Sequence, residues 1–345
     1  VNMPFYVNDS GTWKEVTSNN YYVKHGGAWT VVQEAYVKDA GSWKLYYQNE
    51  VSAALSNTTN VAASSLFTSS VWTGTTPKII TIPSGVTIGG TGGTAAITIA
   101  SNMAGTLTIN NSGSILGTGG ASNGGAGGNA ITNAASNVTI NNTNLIAGGG
   151  GGGGQGGAGG AGEVNNTAAW SGREPASNWT NGSASVGYYY NSSSYHFLYS
   201  GGTSYIIWAS NIGSQSGFPA FIRIGNNEYH RGPSRGSGKY EIYRQAKTAT
   251  SAGTGGAGGL GQGYNQTNSA GSNGSAGGTG AGTGGDGAAG ATYGQAAGSG
   301  NTGANGNSYS NGTGSAGSAG GAAGAAVSGT SVTMNNSGTV HGAVA

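Results

Sequence analysis

The run GGGGGGGQGGAGGAG, from Gly148 to Gly162, has almost no side chains from which to build a core. Further on, glycine keeps a period of three. It recurs at Gly151, Gly154, Gly157 and Gly160, at Gly253, Gly256 and Gly259, and at Gly271, Gly274, Gly277 and Gly280. The same spacing returns at Gly284, Gly287 and Gly290, at Gly300, Gly303 and Gly306, and at Gly314, Gly317 and Gly320. A flexible linker has no reason to keep a period. Three residues per turn is the polyproline II geometry, and glycine at every third position makes one face of such a helix all Cα hydrogens. Collagen uses that face with abundant proline in one unbroken array, whereas this chain has 6 prolines and interrupted runs. The arrangement that remains is a bundle of short polyglycine II helices lying side by side. Such helices have no internal hydrogen bonds, so each N–H and C=O must be satisfied by a neighbour, with Cα–H contacts in support. Ordering so much glycine is entropically costly, and only a cooperative lattice offsets that cost.

Composition narrows the rest. Of 345 residues, 73 are glycine, 6% are charged and 35% are apolar, well short of an ordinary globular core. Without cysteine there are neither disulfides nor thiolate metal sites. The formal charge of +2 implies no polyanionic partner, so nucleic acid is not expected. No secretory leader pattern opens at Val1 and no apolar run reaches membrane-spanning length. The expectation is a soluble protein, assembled into something larger.

Residues 1–50 carry the motif YVxxxGxW three times, beginning at Tyr6, Tyr22 and Tyr36 and ending at Trp13, Trp29 and Trp43. Two β-formers, a polar glycine turn and a Trp strand predict three β-hairpins. A lone hairpin is marginal in water, so the three must pack on one another or on a partner. Residues 51–147 read as a β platform. TLTINNSGSILG at 106–117, NVTINNTNLIAG at 137–148 and SVTMNNSGTVHG at 331–342 are copies of one unit, each a short hairpin or a solenoid rung. The chain is thus predicted to leave the platform after Ala147 and to return in 331–345. Residues 148–330 form the glycine rods, interrupted by a small inserted β domain at 163–250. The fold class is all-β with a polyglycine II bundle.

Catalytic chemistry is thin. GxGxxG strings are unavoidable in such a glycine pattern, and no strand-to-helix context follows them. His25, His196, His230 and His341 lack ligand spacing. Glu228 and Glu241 face each other across a candidate hairpin, where an ion-paired or solvated role outweighs an acid–base one. No enzyme, no cofactor and no metal are expected.

Short β repeats of the ITINNSGSI type leading into glycine-rich runs, with aromatic polar loops between runs, resemble the small adhesins that cap the long tail fibres of T-even-like bacteriophages. The resemblance implies a polyglycine II sandwich whose loops recognise a receptor on the host surface, in the virion, at the fibre tip. It implies Tyr264, Asn265, Tyr293 and Tyr309, in the connectors between rods, as receptor contacts, together with Arg231 and Arg235 of the insert. Tyr offers rigid contact area and Asn adaptable hydrogen bonding. Trp13, Trp29 and Trp43 are the candidates for docking on a trimeric fibre protein, one hairpin per fibre chain. The competing readings are a purely structural virion appendage whose rods are a spacer and, more remotely, an ice-binding face.

Overall fold

The computed structural model describes residues 49–165 and 247–345 throughout. In 6–48 and 173–246 it describes the strand backbones, with the side chains of Ala35, Tyr36, Lys38, Ser42, Trp43 and Glu228.

Three two-stranded antiparallel sheets open the chain: β1 (Tyr6–Asp9) with β2 (Thr12–Glu15), β3 (Tyr22–His25) with β4 (Ala28–Val31), and β5 (Glu34–Asp39) with β6 (Ser42–Gln48). Their registers are equivalent, with Asn8 opposite Trp13, Lys24 opposite Trp29 and Lys38 opposite Trp43.

A three-sided parallel β-solenoid follows. Its first rung is β7 (Val51–Ala54), β8 (Thr58–Thr59) and β9 (Val61–Ala62); its second is β10 (Lys78–Ile82), β11 (Thr87–Gly89) and β12 (Ile97–Ile99). The third is β13 (Leu107–Asn111), β14 (Ser114–Leu116) and β15 (Ile131–Asn133), and the fourth begins with β16 (Val138–Asn142) and β17 (Leu145–Ala147). Every pairing between rungs is parallel. The repeated ITINN-type unit is therefore a rung with a corner after its Asn pair. Alternation places Ile80, Ile109 and Ile140 in one inward column and Ile88, Ile115 and Ile146 in another, all fully buried. Asn111 and Asn142 turn inward at the corner, where carboxamide bonds from Asn111 to Asn142 and from Asn142 to Asn336 satisfy them down the stack.

The connection from the second to the third side grows from rung to rung. It is Asn60 alone in the first rung, 90–96 in the second and 117–130 in the third. In the fourth rung it is everything from 148 to 326. That span includes the insert strands β18 (Gly162–Asn165), β19 (Arg173–Pro175), β20 (Gly187–Tyr190), β21 (His196–Ser200), β22 (Thr203–Trp208), β23 (Phe221–Ile224), β24 (Asn227–Ser234) and β25 (Tyr240–Thr250). The rung then closes with β26 (Val327–Gly329), which pairs with β15. The chain thus re-enters the solenoid at Val327 rather than at 331. A last rung, β27 (Thr333–Asn336) and β28 (Thr339–His341), stacks on β16 and β17.

The glycine runs form an array that grows out of this one corner. The parallel ladder of β14 and β17 continues past Leu116 and Ala147 as bonds from Gly117 N–H to the Ala147 carbonyl and from Gly120 N–H to the Gly150 carbonyl, both 2.8 Å. Extended segments 117–120, 125–128, 148–161, 251–262, 267–278, 281–292, 295–306 and 312–325 lie side by side. Segment 148–161 is central, and its donors rotate among its neighbours. Gly150, Gly153, Gly156 and Gly159 donate to Gln262, Gly259, Gly256 and Gly253 on one side. Gly151, Gly154, Gly157 and Gly160 donate to Gln295, Gly298, Asn301 and Ala304 on a second, and Gly149 and Gly152 to Gly128 and Gly125 on a third. None of these central glycines has positive φ. Glycine is required here by proximity: a Cβ at Gly153 would stand 2.6 Å from the Ala288 carbonyl carbon, and one at Gly154 2.7 Å from the Gly300 nitrogen.

The exceptions follow the same logic. Segment 125–128 is short, so beyond it no backbone carbonyl takes the N–H groups on the third face of the central segment, and Gln155 and Ala158 appear there, exposed. Their N–H groups are taken by the hydroxyls of Ser318 and Ser315, at 2.7 and 2.8 Å. Ser269, Ser272 and Ser275 do the same for Leu260, Ala257 and Thr254. Each serine also donates its own N–H to the carbonyl of the residue it caps. A serine every three residues thus finishes the edge of the array where no further segment covers it.

Candidate functional site

Because segments successive in the chain alternate in direction, their turns alternate between two ends. At the end near the solenoid, the Tyr264 ring lies over Gly89 and its N–H bonds to the Gly117 carbonyl. Asn265 sits in the same turn at φ 51°. Tyr293 donates its hydroxyl to the Gly263 carbonyl and stacks on His341 at 6.4 Å, and its burial raises the phenol above its usual pKa. These residues seal the junction between the array and the solenoid.

At the far end stand the turn at 278–281, the turn at 307–311 and the root of the insert. Tyr309 is 70% exposed there. The expectation that Tyr264, Tyr293 and Tyr309 form one contact surface is therefore corrected: the first two lie a full segment length from the third, about 35 Å at 3.1 Å per residue.

The insert leaves and re-enters through β18 and β25, an antiparallel pair with Gly162 opposite Thr250. Its root is clamped to the Tyr309 turn. The Asn307 carboxamide accepts from Glu163 N–H at 2.7 Å and donates to the Glu163 carbonyl at 3.0 Å, and the Ser308 hydroxyl donates to the Glu163 carboxylate at 2.9 Å. Lys247 ties the next turn of the root, at 2.7 Å from Asn165 and 3.0 Å from the Glu228 carboxylate. Glu228 is thus an ion-pair partner. Arg231 occupies β24 opposite Ile242, and Arg235 lies outside the described residues. The clamp residues Asn307, Ser308 and Glu163 were not singled out by sequence. Their only signal was the break in glycine period after Gly306.

In the hairpins, Trp43 is 68% exposed with the Lys38 ammonium 5.9 Å from its ring centroid. Trp13 and Trp29 hold the equivalent register positions, and their side chains lie outside the described set.

Residues 49–237, more than half of the chain, match the family described as phage tail fibre adhesin Gp38. The chain belongs to this family of phage tail fibre adhesins. The match opens as the hairpins end, takes in solenoid strands β7 to β17 and the central glycine segment, and runs on through most of the insert. The adhesin is accordingly a tail-fibre component of the virion that binds a receptor on the host cell surface. No curated relative and no solved structure matches the chain.

Proposed function

We propose that this adhesin contacts its receptor with the far end of the glycine array, through the Tyr309 turn and the inserted domain, and that the array is a polyglycine II sandwich of the kind found at T-even-like fibre tips. The reading is supported by the three-residue rotation of hydrogen bonds around segment 148–161. The observation that carries it is the clamp from Asn307 and Ser308 to Glu163, which ties an exposed tyrosine turn to the root of the insert at 163–250 at one end of the stalk. Arg231 and Arg235 of the insert are assigned to the contact surface, whereas Tyr264, Asn265 and Tyr293 are assigned to the junction. Trp13, Trp29 and Trp43 are assigned to docking on a trimeric fibre protein, each as a buried aromatic anchor for one fibre chain. The protein acts by binding alone, without catalysis.

The test is competition for adsorption. Purified adhesin should block phage adsorption to susceptible cells, and Tyr309→Ala should weaken the block while Tyr264→Ala, in a variant that still folds, should not. An adhesin that neither binds cells nor competes would leave it a structural appendage.

A further inference from the structure

Five asparagines of the chain are followed by glycine: Asn123, Asn181, Asn273, Asn305 and Asn311. Such a pair is prone to lose the side-chain amide, because a glycine nitrogen with no Cβ beside it can reach the Asn Cγ and close a five-membered ring. In a folded chain the attack is slowed wherever that N–H is already held, since a bonded amide must first open locally. Asn181 lies outside the described residues. The fold holds the glycine nitrogen in three of the other four pairs. Gly124 N–H donates to the Gly153 carbonyl at 2.8 Å, Gly306 N–H to the Gly312 carbonyl at 2.7 Å, and Gly274 N–H to the Asp286 carboxylate at 2.9 Å. The carboxamide oxygens of Asn123 and Asn305 are occupied too, accepting from Gly258 and Gly314 N–H at 2.8 and 2.9 Å.

Asn311 is the exception. Among the described residues neither the Gly312 N–H nor the Asn311 carboxamide makes a hydrogen bond, and Asn311 is exposed. Its backbone, by contrast, is anchored. Asn311 N–H donates to the Ser308 hydroxyl at 3.4 Å, and the Asn311 carbonyl accepts from Ala161 N–H at 2.8 Å. That second bond holds the end of the central segment immediately before β18 starts the insert. The pair therefore sits in the Tyr309 turn, at the foot of the insert, with both reacting groups unheld.

We propose that Asn311 is a site of spontaneous deamidation, which places a carboxylate in the far end of the array; its bearing on adsorption rests on the reading of that end as the receptor contact. The Gly312 nitrogen gives its proton to solvent base and bonds to Asn311 Cγ. The Cγ–Nδ2 bond breaks and ammonia leaves, so the product is a cyclic imide. Water then opens the ring on either side, and nothing is oxidised or reduced. Cleavage between nitrogen and Cγ leaves aspartate. Cleavage between nitrogen and the former backbone carbonyl carbon leaves isoaspartate, whose main chain runs through Cβ and Cγ and is one atom longer. In that second product the oxygen that accepted from Ala161 belongs to a free carboxylate. The turns at 278–281 and 307–311 contain no charged residue, so either product gives this surface a charge that a partner must then accommodate.

Ageing of the purified full chain at mildly alkaline pH, followed by peptide mapping with enzymatic labelling of isoaspartate, tests the site. Asn311 should convert several-fold faster than Asn123, Asn273 and Asn305, and the four rates should draw together when the chain is unfolded in denaturant. Conversion of Asn311 no faster than that of the three held pairs overturns the proposal. The consequence for binding is read separately, by competition for phage adsorption. Aged wild type and Asn311→Asp should compete less well than fresh wild type, whereas aged Asn311→Gln, whose longer side chain closes a six-membered ring far more slowly, should keep its strength. If Asn311 converts first and competition is unchanged in both aged wild type and Asn311→Asp, the deamidation site stands and the assignment of the far end to the receptor falls.

Discussion

Replacing Gly153 by alanine tests whether the array is held by backbone proximity. The new Cβ would stand 2.6 Å from the Ala288 carbonyl carbon, where ordinary contact begins at 3.4 Å, so segment 281–292 must retreat by roughly 1 Å. Ala288 is bonded on both sides, donating to the Gly154 carbonyl at 2.9 Å and accepting from Gly259 N–H at 2.8 Å. Loss of both bonds costs about 2 kcal/mol, and the overpacking adds about 1–3 kcal/mol. The sum, about 3–5 kcal/mol, is a large share of the roughly 5–15 kcal/mol that holds a domain together. For a unit of this size it lowers the melting temperature by on the order of 10 °C. Gln155→Ala, on the uncovered face of the same segment, should stay within about 0.5 kcal/mol. Calorimetric melting of the two variants beside the wild type gives the comparison. Equal melting for Gly153→Ala and Gln155→Ala would mean that the segment is a tether and that its bonds do not hold the fold.

Removing a serine cap, as in Ser318→Ala, leaves the Gln155 N–H to water, and a loss of about 0.5–1.5 kcal/mol is expected by denaturant titration. Lys78 is 1% exposed, and its ammonium donates to the carbonyls of Gly74, Thr76 and Ala104. Burial lowers its pKa from 10.5, so between the lowered value and 10.5 the unfolded chain binds more protons. The stability of the wild type relative to Lys78→Met should therefore rise as pH increases through that window, and a flat difference would show that the folded and unfolded pKa values coincide. Asn307→Ala should loosen the insert root, read as faster proteolysis within 163–250 with the melting of the array unchanged. Alanine at Trp43 should lower the yield of adhesin-bearing fibres without altering the binding of free adhesin to cells.

The period of the glycines made the array legible, because a three-residue repeat of contacts leaves a three-residue repeat in the sequence. Placing Tyr264, Tyr293 and Tyr309 on one surface overlooked the turn at 278–281, which sets Tyr309 at the other end from Tyr264 and Tyr293. What also escaped was which end faced the solenoid. That depends on the bonds from Gly117 and Gly148 to Ala147 and His341, where a parallel sheet hands its ladder to the array. The repeated ITINN-type unit left hairpin and rung open, because alternation reports burial and not strand direction; only stacking of equivalent Asn residues distinguishes them. The partnership of β26 with β15 joins residues far apart in the chain and leaves no local trace. The Ser269, Ser272 and Ser275 series was visible as a period, but its purpose rests on which segment lies at the edge.

The paired root of the insert makes the head of this adhesin interchangeable in principle. Gly162 and Thr250 face each other across one strand pair, so their separation is that of neighbouring strands, about 5 Å. Any folded unit whose two ends emerge as adjacent strands meets the only geometric condition for being seated there. Among the described residues, the bonds that join the glycine segments to one another do not run through the insert, and the clamp from Asn307 and Ser308 reaches only its root at Glu163. A lineage could therefore exchange the inserted domain wholesale while the array, its serine edge and its solenoid base kept the same sequence.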